Sequence, residues 1–216
     1  MKRQFTPFIL KNPEDTKSVV TPIEDVVRNG KDSVWSEPEE LYALYELAFG
    51  LHNNPSTEGY VIEFGSYRGG STCVMGKAIR NSRTHYRPLF AVDPYPKNSP
   101  SDYAYVISRE NYHRLDLTYY ICPVICNCLE FLNFWTLPIR FAFLDASHKY
   151  ELTKQEISAI MPHIVNDGWL VCDDYEDGDW TEVVPALNEF LDTQTEYDLE
   201  IFQIKSHVCL HIIGRK

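Results

Sequence analysis

From Gly59 onward the chain alternates short apolar runs with longer amphipathic stretches. The runs are Tyr60–Phe64, Leu89–Val92, Pro123–Cys126, Phe141–Leu144 and Trp169–Cys172. They are nearly unbroken in apolar character, the pattern of strands covered on both faces. Between them, residues 71–82, 102–119, 129–135 and 149–164 have the length of helices. Such alternation predicts a parallel, doubly wound sheet. The ending differs. Residues 181–192 read as a helix, and Tyr197–Ile204 and His207–Ile213 as two strands joined at Lys205–Ser206. A connection of two residues requires that last pair to be antiparallel.

Upstream, Leu41, Leu44, Tyr45, Ala48 and Leu51 fall at helical spacing and predict a helix over 37–51. Ser36 reads as its N-cap, with Pro38 in the first turn and Glu39 completing a capping box. Residues 1–32 carry Pro7, Pro13, Pro22 and Gly30 as punctuation and show no clear period, so they read as an irregular arm packed on the domain. The division is an N-terminal arm, 1–35, acting as lid, dimer contact or both, and a domain over 36–216.

The chain has 216 residues, 44% of them hydrophobic and 24% charged, which suits one α/β domain and excludes a largely disordered chain. No window approaches the roughly 18–20 apolar residues of a membrane helix, so no membrane partner is expected. The basic tip at Lys2 and Arg3 is followed by no long apolar core, so no secretory leader is read and a cytoplasmic location is expected. With 31 acidic against 20 basic residues the formal charge is −11, which disfavours nucleic acid as the main partner. Six cysteines, at 73, 122, 126, 128, 172 and 209, form no CxxC pair and read as reduced, small apolar residues rather than a zinc site.

In open α/β sheets ligands bind beyond the carboxyl ends of the strands, so the residues there carry the chemistry. After the first run comes EFGSYRGGST, residues 63–72. Its glycines let the backbone turn sharply, and Ser71 and Thr72 start a helix whose free N–H groups attract an anion. The spacing is neither the G-x-G-x-x-G fingerprint nor a Walker loop, and Glu63 would receive an ammonium rather than a pyrophosphate. Arg68 would meet a carboxylate or only solvent. Asp93 ends the second run, placed to accept from two ribose hydroxyls or to cap a helix beginning near Pro94. Asn127 would bond an adenine edge or serve as a turn residue.

The fourth run ends in Asp145, in FLDASHKYE, and the fifth in Asp173 and Asp174, in WLVCDDYEDGDW. Carboxylates converging at one rim repel unless a cation neutralises them, and hard oxygen donors suit Mg²⁺ or Mn²⁺ better than Zn²⁺. His148, three residues past Asp145, can take a proton near neutral pH. Glu176, Asp177, Asp179 and Trp180 would cap a pocket or be solvated. Tyr103, Tyr105, Tyr112, Tyr119 and Tyr120 read as core packing, and His163 as compensating a helix end.

Together these motifs resemble the class I S-adenosylmethionine-dependent methyltransferases. The nearest likeness is to the metal-dependent macrocin- and mycinamicin-type O-methyltransferases, a group that includes cephalosporin-hydroxylase-like proteins. VIEFGSYRGGST, FAVDPYP, FLDASHKYE and GWLVCDDY stand in the expected order, and the likeness runs from about Glu37 to Ile213. The resemblance implies a doubly wound, mostly parallel, seven-stranded Rossmann-like sheet ending in an antiparallel hairpin, with an N-terminal helical arm. It implies S-adenosylmethionine as cofactor, bound by Glu63, Gly65, Ser66, Tyr67, Arg68, Gly69, Ser71, Asp93, Asn127, Cys128 and Asp145. It further implies Mg²⁺ or Mn²⁺ on Asp145, Asp173 and Asp174, with His148 and Asp145 catalytic and His148 the general base. The chain departs from the family where many relatives have Asp in place of Asn127, and where some have Glu in place of Asp173. The expected partner is a small-molecule hydroxyl acceptor, and a homodimer is open. Another metal-assisted, hydroxylase-like enzyme and a catalytically idle cofactor-binding module are the alternatives.

Overall fold

The apolar runs become the strands of one sheet. The computed structural model describes residues 2–28, 36–53, 58–82, 87–96, 103–176 and 181–216. Its strands are β1 (Thr6–Pro7), β2 (Tyr60–Phe64), β3 (Leu89–Asp93), β4 (Ile121–Ile125), β5 (Ile139–Leu144), β6 (Ile164–Cys172), β7 (Tyr197–Ile204) and β8 (His207–Arg215). They lie in the order β1-β7-β8-β6-β5-β2-β3-β4. β2 to β6 pair in parallel, while β8 runs antiparallel to both β6 and β7. The expected doubly wound sheet and closing hairpin are therefore both present. The eighth strand is an addition: Thr6 and Pro7 pair in parallel with Phe202 and Gln203. Two residues are too few to show any hydrophobic period.

The helices are α1 (Pro13–Arg28), α2 (Pro38–Asn53), α3 (Gly70–Asn81), α4 (Ala104–Arg114), α5 (Cys128–Phe134), α6 (Tyr150–Ile160) and α7 (Val183–Thr193). They cover the two faces of the sheet, as strand alternation requires. On β5, Phe141 and Phe143 belong to the core under α1, α2 and α3, while Ala142 and Leu144 belong to the core under α5, α6 and α7.

The arm is not irregular. Residues 13–28 form a 16-residue helix that buries Thr16, Val20, Ile23 and Val27. Those positions are spaced four, three and four apart, but Pro22 inside the helix masks the signal because proline normally breaks one. The start of α2 is shifted by one residue from expectation. Glu37 begins the helical bonding, and Glu40 accepts from the Glu37 N–H at 2.7 Å. The tyrosine-rich helix is also shorter than expected: Tyr112 is fully buried, whereas Tyr103 and Tyr119 are 73% exposed and Tyr119 and Tyr120 lie beyond the helix. All six cysteines are free. No described helix is long and apolar enough to cross a membrane.

Candidate functional site

The switch in strand order falls between β2, which leads to β3, and β5, which leads to β6. Two glycines make the turn after β2 possible. Gly65 has φ +94°, and a Cβ there would overlap the carbonyl oxygen of Asp145 and stand 3.0 Å from the Ala146 Cα. Gly69, φ +81°, precedes the first turn of α3, where a Cβ would press on the ring of Tyr112 at 2.6 Å. This close approach places the ends of β2 and β5 side by side, and the Asp145 N–H donates to the Phe64 carbonyl at 2.8 Å.

Over these ends lies a cavity of about 1320 Å³. A site for one drug-sized ligand occupies roughly 300–1,000 Å³, so there is room for two reactants. Gly65, Ser66, Tyr67, Ser71, Asp93, Asn127, Cys128 and Asp145 line it, as do His148, Asp173 and Asp174. Most residues expected from the sequence are thus brought together. Three are not on the wall. Glu63 is completely buried, its two carboxylate oxygens accepting from the hydroxyls of Ser71 and Thr72. Burial pushes its carboxyl up to about 8, against those two bonds. Arg68 stacks on the ring of Tyr67, 5.0 Å from its centre, and Gly69 serves the turn. Asp177, Asp179 and Trp180 lie outside the described residues.

Asp93 is held in place by the backbone. Its Oδ2 accepts from the Tyr67 N–H at 2.9 Å and its Oδ1 from the Tyr95 N–H at 2.7 Å. Each oxygen keeps a lone pair for a further donor. Burial raises its carboxyl above the ordinary value, and the two backbone bonds oppose the shift. Asn127 is the N-cap of α5 in a full capping box with Glu130, so its Oδ1 is already used at 2.8 Å. Its amide nitrogen is the part left for a ligand.

The three rim acids divide into two clusters. His148 Nε2 lies 2.7 Å from Asp174 Oδ2 and 3.3 Å from Asp145 Oδ1. Burial alone would lower the imidazole, yet its bonds to the two carboxylates carry it up to about 10. Burial, with the charges of Asp173 and Asp174, raises Asp145 despite the bond to His148. Asp173 instead turns toward β8. Its Oδ1 accepts from the Asp174 N–H at 2.7 Å and lies 2.9 Å from Ser206 Oγ and 3.3 Å from His207 Nε2. Burial would raise Asp173, but the neighbouring His207 and these bonds hold it low.

Several wall residues escaped the sequence reading. Glu40, Glu156, Ser206 and Lys2 all line the cavity. The partnership of Asp173 with His207 comes from the antiparallel pairing of β6 with β8, two strands far apart in the chain: Val208 stands opposite Cys172, which puts their neighbours His207 and Asp173 side by side.

A parallel sheet closed by an antiparallel hairpin, with a glycine turn after the first central strand and acids at the following strand ends, defines the class I methyltransferase fold. The sequence model of a family described as "Methyltransferase domain" matches residues 62–175, more than half of the chain, and the chain belongs to that family. The match is to the domain as a whole and does not distinguish a macrocin-type subgroup. No curated protein matches the sequence. Among solved structures, the chain is similar to an O-methyltransferase from Bacillus cereus in complex with SAH, with 14% identity and a TM-score of 0.66 over 91% of each chain. It is also similar to the SAH-bound Podospora anserina methyltransferase PaMTH1, at 13% identity and TM-score 0.68, covering 97% of this chain and 99% of that one. Cofactor-bound Rv0187 from MTB gives 13% and 0.68, over 98% and 99%. Identities this low establish the shared fold.

Proposed function

We propose that the chain is an S-adenosylmethionine-dependent O-methyltransferase that acts on a hydroxyl of a small molecule, with His148 as general base. The observation that carries this reading is the single cavity joining Asp93 to the His148–Asp145–Asp174 cluster. The residues present fit the donor. Asp93 has two oriented oxygens free to accept from ribose hydroxyls, and Gly70 and Ser71 open a helix N-terminus toward a carboxylate. Cys128 and the Asn127 amide border the adenine side. Glu63, off the wall, orients Ser71 rather than meeting the donor's ammonium.

Asp145 and Asp174 fit a hard divalent cation such as Mg²⁺ or Mn²⁺: their carboxylates converge on one point, now held by the Nε2 of His148. Asp173 faces away from that point, and we leave it out of this ligand set. His148 can act as a base only when the negative charge of the two acids is neutralised, because that charge holds its proton. A bound cation would supply that neutralisation and would also lower the pKa of an acceptor hydroxyl. With its proton released, Nε2 takes the proton of the hydroxyl as that oxygen attacks the sulfonium methyl in line. The O–C bond forms, the C–S bond breaks, and the sulfur leaves with the electron pair. Positioning the two reactants in one cleft converts a bimolecular encounter into an effectively unimolecular step.

Lys2 reaches the same cavity from the arm, whose Arg3 N–H donates to the Tyr175 hydroxyl at 2.7 Å. On this reading Lys2 brings the arm to the acceptor wall. The test is calorimetric binding of S-adenosylmethionine to the wild type and Asp93→Ala, followed by methyl transfer to a panel of catechols and vicinal diols. Donor binding that ignores Asp93 would sink the proposal.

A further inference from the structure

A second group of ligand-type side chains stands beside the cavity and has no part in the chemistry assigned to His148. The first turn of α2, the end of β6 and the start of β8 bring together Glu40, Asp173 and His207. One carboxylate oxygen from each acid and one ring nitrogen of His207 all lie within 4.8 Å of one another. His207 is the only fully buried histidine among the described residues, and neither ring nitrogen has an aligned hydrogen-bond partner. Its Nε2 points into the cluster, 3.3 Å from Asp173 Oδ1. Its Nδ1 has lost water without replacement and its Nε2 has the Asp173 carboxylate in place of it, and native interiors avoid leaving a buried polar atom in the state of Nδ1.

The two acids are oriented from behind. Glu40, 2% exposed, accepts from the Glu37 N–H at Oε2 and from the Ser206 N–H at Oε1, both at 2.7 Å. Ser206 Oγ lies 2.6 Å from Glu40 Oε1 and 2.9 Å from Asp173 Oδ1, with one proton to share between them. Outer donors of this kind fix the direction of metal-binding carboxylates. Two ligands about 2.1 Å from one ion stand roughly 3–4 Å apart; His207 Nε2 and Asp173 Oδ1 are 3.3 Å apart, and the Glu40 oxygen lies within 4.8 Å of both ligand atoms. Glu40, Asp173 and Ser206 also line the cavity, so an ion has a route in.

We propose that Glu40, Asp173 and His207 bind a divalent transition metal at a site distinct from the Asp145–Asp174 pair. One imidazole with two carboxylates suits Mn²⁺, Fe²⁺, Co²⁺ or Zn²⁺, whereas Mg²⁺ prefers an all-oxygen shell. The ion ties α2 to the sheet and fixes the backbone between Asp173 and Asp174, so it sets the rim on which the reaction depends.

The test uses the full chain stripped with EDTA and titrated with Co²⁺, read by its visible absorption. The Asp145→Asn/Asp174→Asn double variant is expected to keep one Co²⁺ site within about threefold of its wild-type affinity. His207→Gln is expected to weaken that site more than about 30-fold, as loss of a ligand requires. Because His207 is buried, its replacement can unfold the protein, so a second measurement leaves it in place. In His148→Gln protein labelled with ¹⁵N-histidine, one equivalent of Zn²⁺ should move a ring nitrogen of His207, the fully buried histidine among the described residues, to its metal-bound position. The proposal is overturned if no histidine resonance responds, or if the double variant loses all Co²⁺ binding. Either result would make the cluster a buried ion pair only. S-adenosylmethionine binding in the same stripped samples reports on the donor site separately, so the two readings fail independently.

Discussion

Replacing Gly65 by alanine should damage both stability and the site, because one backbone position serves both. Its φ of +94° lies where an L side chain is strained, at a cost of about 1–2 kcal/mol. The new Cβ would also overlap the Asp145 carbonyl oxygen and press on Ala146, and forcing extra atoms into packed structure costs about 1–3 kcal/mol more. Both neighbours follow directly on β5, as Gly65 follows on β2, and those two paired strands cannot move apart without breaking the sheet. The expected loss is therefore about 2–5 kcal/mol. At about 2–4 °C per kcal/mol for a chain of this size, the melting temperature should fall by roughly 10 °C. Gly50 is the control: it lies in α2 with open space where a Cβ would go. Gly50→Ala should gain about 0.5–1 kcal/mol from helix propensity alone. Urea unfolding of both variants beside the wild type decides the matter. A Gly65→Ala protein within 1 kcal/mol of wild type would refute the close approach of the two strands.

Three further outcomes rest on the same geometry. Glu63 has an ordinary value of 4.5 and is pushed up to about 8 by burial, so its unfolded form ionises first. Its contribution to stability is full below pH 4.5 and falls by about 1.4 kcal/mol per pH unit up to about pH 8. Urea unfolding across that window should show a shallower decline in Glu63→Gln; an identical pH profile would mean Glu63 is not enclosed as described. Asn127→Ala removes the capping box of α5 and should cost about 1 kcal/mol in unfolding free energy. Because the Asn127 oxygen is already committed, the same variant should weaken S-adenosylmethionine less than Asp93→Ala does. His148→Gln should lower the rate of methyl transfer by about 10²–10⁴ while donor affinity in calorimetry stays within about threefold. A rate near that of wild type would remove His148 as the base.

The sequence was most legible where the fold is most constrained. Strands β2, β3, β5 and β6 read as apolar runs because they are covered by the packed helices, and the acids that end the runs of β3, β5 and β6 mark the rim. The arm was less legible: Pro22 hides the period of α1, and β1 is only two residues long. Side-chain direction beyond a strand end was the other loss. Asp173 and Asp174 are adjacent and alike, yet one turns to His207 and the other to His148. Asp174, with φ +58°, sits in the left-handed region, and that turn separates the two carboxylates. Glu63 was readable as a strand-end acid, but its enclosure by Ser71 and Thr72 depends on how α3 folds back over it. Identity and position were open to reading, whereas pairing required the third dimension.

Binding of S-adenosylmethionine, measured by calorimetry on the wild type and Asp93→Ala with and without Mg²⁺, tests the central claim most directly. The account predicts micromolar-range binding by the wild type, about −8 kcal/mol, and a loss of at least tenfold in Asp93→Ala. Absence of heat from the wild type under both conditions, in protein shown to be folded, would contradict it.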